Sequence, residues 1–312
     1  MLSALRPSST RQYESCWRAF QAFLRERGAP SVTAAVVFSF LSSLVHERGR
    51  QPPTVAVHLV ALSDPLWYGF NIRLDPRAVV LLKRGLFYQR PPLRAPRPTW
   101  SLQKVLDILR GGAFFSSPLS LVPALKKALF LTALASGLRA SQLRALTRFP
   151  QWTVFVEDRS HVSLAPSPRF LTKNEREDHR LQLVVIPAWM DHGEHHSLCP
   201  VAALKYFIKA SSDQPPHCLF VSERGSPLST RRISALLHEL IEEADPGRAP
   251  KAHDIRGAAY SLAFLRTFSL AGVTEGGQWS SSTSFVTRYL SHSWRDIPCV
   301  ALGVLPGNQS SP

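Results

Sequence analysis

The chain has 312 residues, and its 37 Lys and Arg against 22 Asp and Glu give a formal net charge of +15. At this length and with 45% apolar residues, the chain is long enough for two domains with buried cores, and it shows no internal repeat. The basic excess favours a polyanionic partner, most simply nucleic acid, over a merely soluble basic protein.

The cysteines and the apolar segments argue against a secreted or membrane protein. The four cysteines are widely spaced without a CxxC pair, which indicates reduced thiols rather than a disulfide framework. The N-terminus lacks the apolar core of a signal peptide, and the most apolar segment, 128–137, is too short to span a bilayer. We therefore expect no membrane association, with a nuclear location in a eukaryote and a cytoplasmic one otherwise.

Helical periodicity dominates the first part of the chain. Apolar residues spaced three and four apart predict helices over 8–27, 32–46, 54–70 and 76–89. Ser9 and Thr10 are candidate caps for the first of these helices. Residues 90–98 hold four prolines and three arginines, which exclude a helix and predict a stiff basic linker. The predicted organisation is a helical domain over 1–89, a linker over 90–98 and a second domain over 99–312.

The second domain mixes helices with a short β region. Helices are predicted over 100–109 and 116–136, and Gly137 stops the second of them. The period then changes to that of strands at 152–156, 161–164 and 181–186, with Lys173 in the hairpin that precedes the last strand. Further helices are predicted from Pro200 and from Thr230. The fold class is therefore mainly α with a small antiparallel β-sheet.

A cluster of histidines at 191–199 ends in Cys199. A zinc site needs paired ligands at defined spacing together with a second set, and the sequence offers no second set. A polar loop before the helix at Pro200 explains the cluster better, so no metal site is expected.

The residue types that suggest chemistry lie near the C-terminal end. His253 and Arg256 are three residues apart, where a helix would place both on one face, and Trp279 and Tyr289 follow. Such a set can act on a phosphate, because an arginine can hold it, a histidine can move a proton and a tyrosine can attack. Arg139 lies on a tight turn between two apolar helices, an unusual place for a charge unless it has a role.

These motifs resemble those of the tyrosine recombinases of the phage-integrase type, and most closely the versions carried by DIRS-like retrotransposons. The segment 11–20 resembles the first helix of the family's core-binding domain, and 137–143 resembles the turn that carries its first arginine. The segment 170–173 resembles its lysine hairpin, and 253–256 matches its HxxR box. The resemblance covers nearly the whole chain and implies a helical, SAM-like core-binding domain followed by a tyrosine-recombinase catalytic domain.

The resemblance implies a catalytic role for six residues, which are Arg139, Lys173, His253, Arg256, Trp279 and Tyr289. Two arginines can donate paired hydrogen bonds to the non-bridging oxygens of a phosphodiester, so the chemistry requires neither a metal nor a cofactor. Going by the family, Tyr289 is the nucleophile, Lys173 protonates the leaving oxygen, and the protein acts as a homo-tetramer on double-stranded DNA. Each residue also has a structural alternative; Tyr289 and Trp279, for example, are residue types that also occur as core aromatics, although the functional interpretation is favoured for both.

Two departures from the family pattern keep other functions open. Gln142 stands where many members carry an acidic residue, and the segment 272–277 contains three glycines where a firm short helix is expected. The alternatives are a DNA-binding protein that has lost recombination activity and a nicking-closing enzyme of the type IB topoisomerase kind.

Overall fold

The computed structural model describes residues 7–91, 100–111, 114, 120–157, 160–171, 183–188, 197–248, 250–277, 279 and 282–288. The chain divides into two compact units, Met1–Pro96 (unit 1) and Arg97–Pro312 (unit 2). The division falls inside the proline-rich stretch, while the domain bounds 1–89 and 99–312 stay a prediction. None of the helices in these described ranges has both the length and the apolarity needed to cross a bilayer.

Unit 1 is helical, as the periodicity predicts. Its described helices are α1 (Pro7–Glu26), α2 (Ala34–His46), α3 (Pro52–Phe70) and α4 (Pro76–Gln89). Thr33 caps α2 through its side-chain oxygen, and Asp75 caps α4 in the same way. Because α1 begins at Pro7, Ser9 and Thr10 lie inside the helix, and their prediction as caps is wrong.

Aromatic side chains hold unit 1 together. The ring of Phe40 lies 5.1 Å from that of Phe20 and 5.4 Å from that of Phe23, and all three side chains are buried. His58 on α3 approaches the Phe40 ring edge-on at 5.7 Å. These contacts join α1, α2 and α3 around one core, with geometries that aromatic pairs prefer.

Unit 2 combines helices with a small sheet. Its described helices are α5 (Leu102–Arg110), α6 (Leu121–Ser136), α7 (Ala140–Ala145), α8 (Pro200–Ala210), α9 (Thr230–Ala244), α10 (Ala252–Thr267), α11 (Leu270–Gly276) and α12 (Ser282–Arg288). Its described strands are β1 (Thr153–Phe155), β2 (His161–Leu164) and β3 (Val184–Pro187), antiparallel in the order β1-β2-β3. The mainly α fold with a small antiparallel sheet is confirmed.

Helix α6 is the centre of the core of unit 2. It contacts α8, α9, α10 and β3, and its residues from Leu129 to Leu134 are all buried. A helix that is apolar all round needs neighbours on every side, which explains why α6 has this position. The C-terminal end of α6 therefore lies on a rigid support, and Gly137 follows it directly.

Asp245 connects the beginning of α5 to the end of α9. Its carboxylate accepts hydrogen bonds from the backbone N–H of Ser101 at 2.9 Å and from Nζ of Lys104 at 2.7 Å. The hydrogen bonds from Lys104 and Ser101 lower the pKa of Asp245. Ser101 itself caps α5 as predicted, with its Oγ accepting from the backbone N–H of Lys104.

Replacing Asp245 with alanine is expected to reduce the free energy of unfolding of unit 2 by about 2 kcal/mol, because two charge-assisted hydrogen bonds are lost. The carboxylate of Asp245 has a lower pKa in the folded state than in the unfolded state, so its ionised form stabilises the fold. This stabilisation is complete above the unfolded pKa of about 3.9 and is lost as the pH falls through the folded pKa. The stability difference between wild type and Asp245→Ala, measured by urea denaturation, should therefore narrow below about pH 4. The exposed Asp107 carboxylate provides the control, and Asp107→Ala should change stability by less than about 0.5 kcal/mol.

Candidate active site

The HxxR segment forms the first turn of α10. The carboxylate of Asp254 accepts a hydrogen bond at 2.7 Å from the backbone N–H of Lys251, which occupies the N-cap position. His253 and Arg256 are thereby placed one turn apart, as the spacing predicts. His253 is exposed, whereas Arg256 is only 3% exposed, so the arginine enters the protein while the histidine lies at its surface.

The buried guanidinium of Arg256 bonds two distant backbone carbonyls. Its Nη1 donates to the carbonyl oxygen of Gly137, and its Nη2 donates to that of Gly277. Gly137 lies two residues before Arg139, and Gly277 lies two residues before Trp279. One side chain therefore fixes both the turn that carries Arg139 and the segment that carries Trp279.

Arg139 stands at the junction of α6 and α7. Gly137 ends α6 in the left-handed conformation with φ +61°, which glycine adopts without strain, and α7 begins at Ala140. The backbone N–H of Arg139 donates to Oε1 of Gln142 at 2.8 Å, and Gln142 is only 2% exposed. The side-chain oxygen of Gln142 is thus an acceptor for the backbone of Arg139.

The charges of both arginines act on the hydroxyl of Tyr260. Burial raises the pKa of Tyr260, and the charges of Arg256 and Arg139 both act in the opposite direction. Nη1 of Arg139 is buried and has no hydrogen-bond partner among the residues that the structure describes. A buried guanidinium nitrogen with unused hydrogen-bonding capacity, on a turn that a second guanidinium bonds, is suited to an anionic ligand such as a phosphate.

Trp279 packs against the same guanidinium. Its ring centroid lies 4.8 Å from Cζ of Arg256, within the range of a cation–π interaction, and 5.4 Å from the ring of Phe285 on α12. Phe285 is fully buried and also contacts Phe264 on α10. Trp279 therefore connects the arginine to α12, the helix that ends immediately before Tyr289.

The glycine-rich segment forms the ordered helix α11 and its C-cap. Ser269 caps α11 through its Oγ, which accepts from the backbone N–H of Gly272 at 3.0 Å. The carbonyl oxygen of Gly276 accepts from the Tyr260 hydroxyl at 2.6 Å, and a Cβ atom at Gly277 would overlap the Trp279 ring. Gly277 thus allows the backbone to approach the Trp279 ring closely, which the sequence alone did not reveal.

Two of the six predicted catalytic residues, Lys173 and Tyr289, lie outside the described residues, as do residues 191–196 of the histidine cluster. Arg139, Arg256 and Trp279 are brought together, with His253 one helical turn from Arg256 at the surface. Within the described ranges, no three His, Cys, Asp or Glu side chains are grouped so that they could hold a metal ion.

Sequence reasoning missed Tyr260 and the carbonyl groups that Arg256 bonds. Tyr260 follows Arg256 by four residues, so the helical spacing alone places both on one face of α10. That signal was available, but nothing in the sequence shows that a tyrosine at this place meets Gly137 and Gly276. The carbonyl partners carry no sequence signal, since every residue has a carbonyl group.

Gly277→Ala is expected to lower the free energy of unfolding by about 1–3 kcal/mol, because the new methyl group overlaps the Trp279 ring and forces it away from Arg256. Gly276→Ala is the matched control, since its Cβ would lie 3.7 Å from the Tyr260 ring, an ordinary contact. Urea denaturation of the two variants measures the difference. Equal stability of the two would show that Trp279 is not confined as the structure indicates.

No protein-family model matches the chain. The tyrosine recombinase XerC of Halalkalibacterium halodurans is 25% identical to it over 262 residues, which cover 80% of this chain and 76% of that protein.

Solved structures with the same fold cover most of this chain. The XerH site-specific recombinase in a post-cleavage complex with palindromic difH substrate has a TM-score of 0.64 at 15% identity, covering 91% of this chain and 77% of that one. A lambda integrase dimer bound to a COC′ core site has a TM-score of 0.58 at 16% identity, covering 94% and 92%. The Tn1549 transposon integrase with transposon right end DNA has a TM-score of 0.58 at 15% identity, covering 92% and 90%. The chain therefore has the fold of the tyrosine recombinases and integrases, and its sequence is similar to that of a curated tyrosine recombinase.

Proposed function

We propose that the chain is a site-specific DNA recombinase or integrase, which cleaves and rejoins double-stranded DNA through a 3′-phosphotyrosyl intermediate. The observation that carries this proposal is the bond from Arg256 to the Gly137 carbonyl, which brings the Arg139 turn to the HxxR helix. The shared fold and the similarity to XerC support it.

The geometry suits attack on a phosphodiester. Extra negative charge develops on the non-bridging oxygens in the transition state, and the guanidinium groups of Arg139 and Arg256 stabilise it by hydrogen bonds in a partly buried place. Tyr289 attacks phosphorus, so the new bond joins phosphorus to the tyrosine oxygen as the bond to the 5′ oxygen breaks. Lys173 protonates the 5′ oxygen, and His253 moves the proton of the tyrosine. Trp279 supports the nucleophile's helix, and no metal, cofactor or ATP takes part.

The same solved structures support a proposal for the biological setting. The lambda integrase and the Tn1549 transposon integrase share the fold, which supports an origin in a mobile element. Within that class, the sequence motifs favour a DIRS-like retrotransposon recombinase. A lambda integrase tetramer on a Holliday junction, with a TM-score of 0.54, supports a homo-tetramer on DNA. The helical domain 1–89 and the catalytic domain 99–312 would then both face DNA, in the nucleus of a eukaryotic source or otherwise in the cytoplasm.

One observation favours a second candidate, a recombinase-derived DNA-binding protein of low activity. Gln142 replaces an acidic residue that many family members carry beside the first arginine. Its Oε1 nevertheless accepts from the backbone N–H of Arg139, so the turn keeps its acceptor. This bond weakens the case for the second candidate.

The chemistry is tested with a nicked suicide DNA substrate, from which the short cleaved strand escapes and traps the covalent adduct. Wild type should give a protein–DNA adduct on denaturing gels, and Tyr289→Phe should give none, because it lacks the attacking oxygen. Tyr68→Phe removes an exposed hydroxyl in unit 1 and should behave as wild type. An adduct in Tyr289→Phe would contradict the assignment of the nucleophile, and no adduct from wild type would leave only the DNA-binding candidate.

Strand exchange between two duplexes separates a recombinase from a nicking-closing enzyme, since relaxation of supercoiled plasmid without exchange would favour the latter.

Arg139→Ala should reduce the cleavage rate by about 100-fold or more through loss of transition-state stabilisation. Its DNA affinity should change much less, because many other cations contact phosphates. Affinity of wild type should fall steeply with salt, with a log–log slope of about −5 or steeper. A slope near zero would contradict a phosphate-tracking interface.

A further inference from the structure

Tyr260 occupies a central position that the proposed chemistry does not use. It lies on α10 one turn beyond Arg256, and its ring centroid is 4.8 Å from Cζ of that arginine. The same ring meets the Trp279 ring edge-on, with the centroids 4.9 Å apart. The Trp279 centroid is also 4.8 Å from Cζ of Arg256, so the guanidinium lies at equal distances from two aromatic rings. Two aromatic faces restrict the plane of a guanidinium more than one can.

The Tyr260 ring also fits against the turn that carries Arg139. A Cβ atom on Gly137 would overlap the edge of this ring, so the backbone of the turn touches it directly. The left-handed conformation at Gly137 brings the carbonyl of the turn to Arg256 on the same side. The ring thus contacts the support of the first arginine and the side chain of the second.

The hydroxyl of Tyr260 makes a third connection. It donates to the carbonyl oxygen of Gly276 at 2.6 Å, one residue before the carbonyl that Arg256 bonds. Burial raises the pKa of this phenol, which further favours its protonated, hydrogen-bond-donating form. Tyr260 therefore ties the end of α11 to α10.

We propose that Tyr260 is a positioning residue, which acts through Arg256 and Trp279 to hold the two arginines in the arrangement that binds the transition-state phosphate. This inference rests on the proposed strand-cleavage function. A guanidinium that rotates out of its plane loses paired hydrogen bonds to the phosphate, and displacements of about 1 Å are enough to slow an enzyme severely. We expect the ring to supply the larger part of this restraint, since it contacts Gly137, Arg256 and Trp279, whereas the hydroxyl donates to the carbonyl of Gly276 and lies beside Arg256.

The test compares Tyr260→Leu with Tyr260→Phe in single-turnover cleavage of the suicide substrate at saturating DNA. Tyr260→Leu removes both ring and hydroxyl, and we expect the cleavage rate to fall about 10- to 100-fold. Tyr260→Phe keeps the ring and should retain at least about one third of the wild-type rate. DNA affinity should stay within about threefold in both variants, since Tyr260 restrains an arginine and provides no phosphate contact of its own.

Phe220→Leu controls for a general loss of stability, because it removes a buried ring of the same unit that stacks on Phe207. It should lower the melting temperature by about as much as Tyr260→Leu while leaving the cleavage rate at 25 °C near wild type. A wild-type rate in Tyr260→Leu, an equal loss in Tyr260→Phe, or an equal loss in Phe220→Leu would each overturn the inference. If wild type itself forms no adduct, the proposed function fails first, and the inference fails with it.

Discussion

The buried guanidinium of Arg256 determines how the rest of the candidate site is assembled. Its two terminal nitrogens bond carbonyl groups at Gly137 and Gly277, which are 119 and 21 residues away in sequence. Carbonyl oxygens accept hydrogen bonds but carry no net charge, so these two bonds orient the cation without neutralising it. The arrangement supports an anion-binding place in which the positive charge is fixed before the ligand arrives, as electrostatic preorganisation requires.

The glycines near the site are explained by the same constraint. Gly137 and Gly277 lie where rings and backbone meet so closely that a methyl group would overlap Tyr260 or Trp279. Gly137 also has a left-handed backbone, and the chain turns from α6 to α7 within three residues. At both positions the backbone carbonyl must reach the buried guanidinium beside an aromatic ring. Glycine suits such a position because it has no side chain. The close approach of the backbone to the Trp279 ring therefore accounts for Gly277.

The sequence predicted those features that depend on local interactions. The bounds of α4, the cap at Ser101 and the stop at Gly137 follow from proline, serine and glycine chemistry within one helical turn. The mainly α fold class follows from periodicity over 7–15 residues. The predicted N-terminal cap of α1 was wrong, because the helix already begins at Pro7 and Ser9 therefore lies inside it.

The contacts between distant segments could not be predicted from the sequence. The bonds from Arg256 join residues that are far apart in the chain, and their acceptors are backbone groups that no residue type marks. Tyr260 has a suitable helical spacing, but its partners come from other segments. The roles of Lys173 and Tyr289 stay predictions that rest on the sequence motifs.

The buried amide of Gln142 has a consequence for how the site responds to acid. A carboxylate at this position would gain a proton as the pH falls and would then present a donor in place of one acceptor. The amide oxygen that holds the backbone of Arg139 does not titrate, so this bond persists at every pH at which unit 2 is folded. This attachment of the Arg139 backbone is therefore independent of pH, and acid sensitivity of the site would have to originate in other groups.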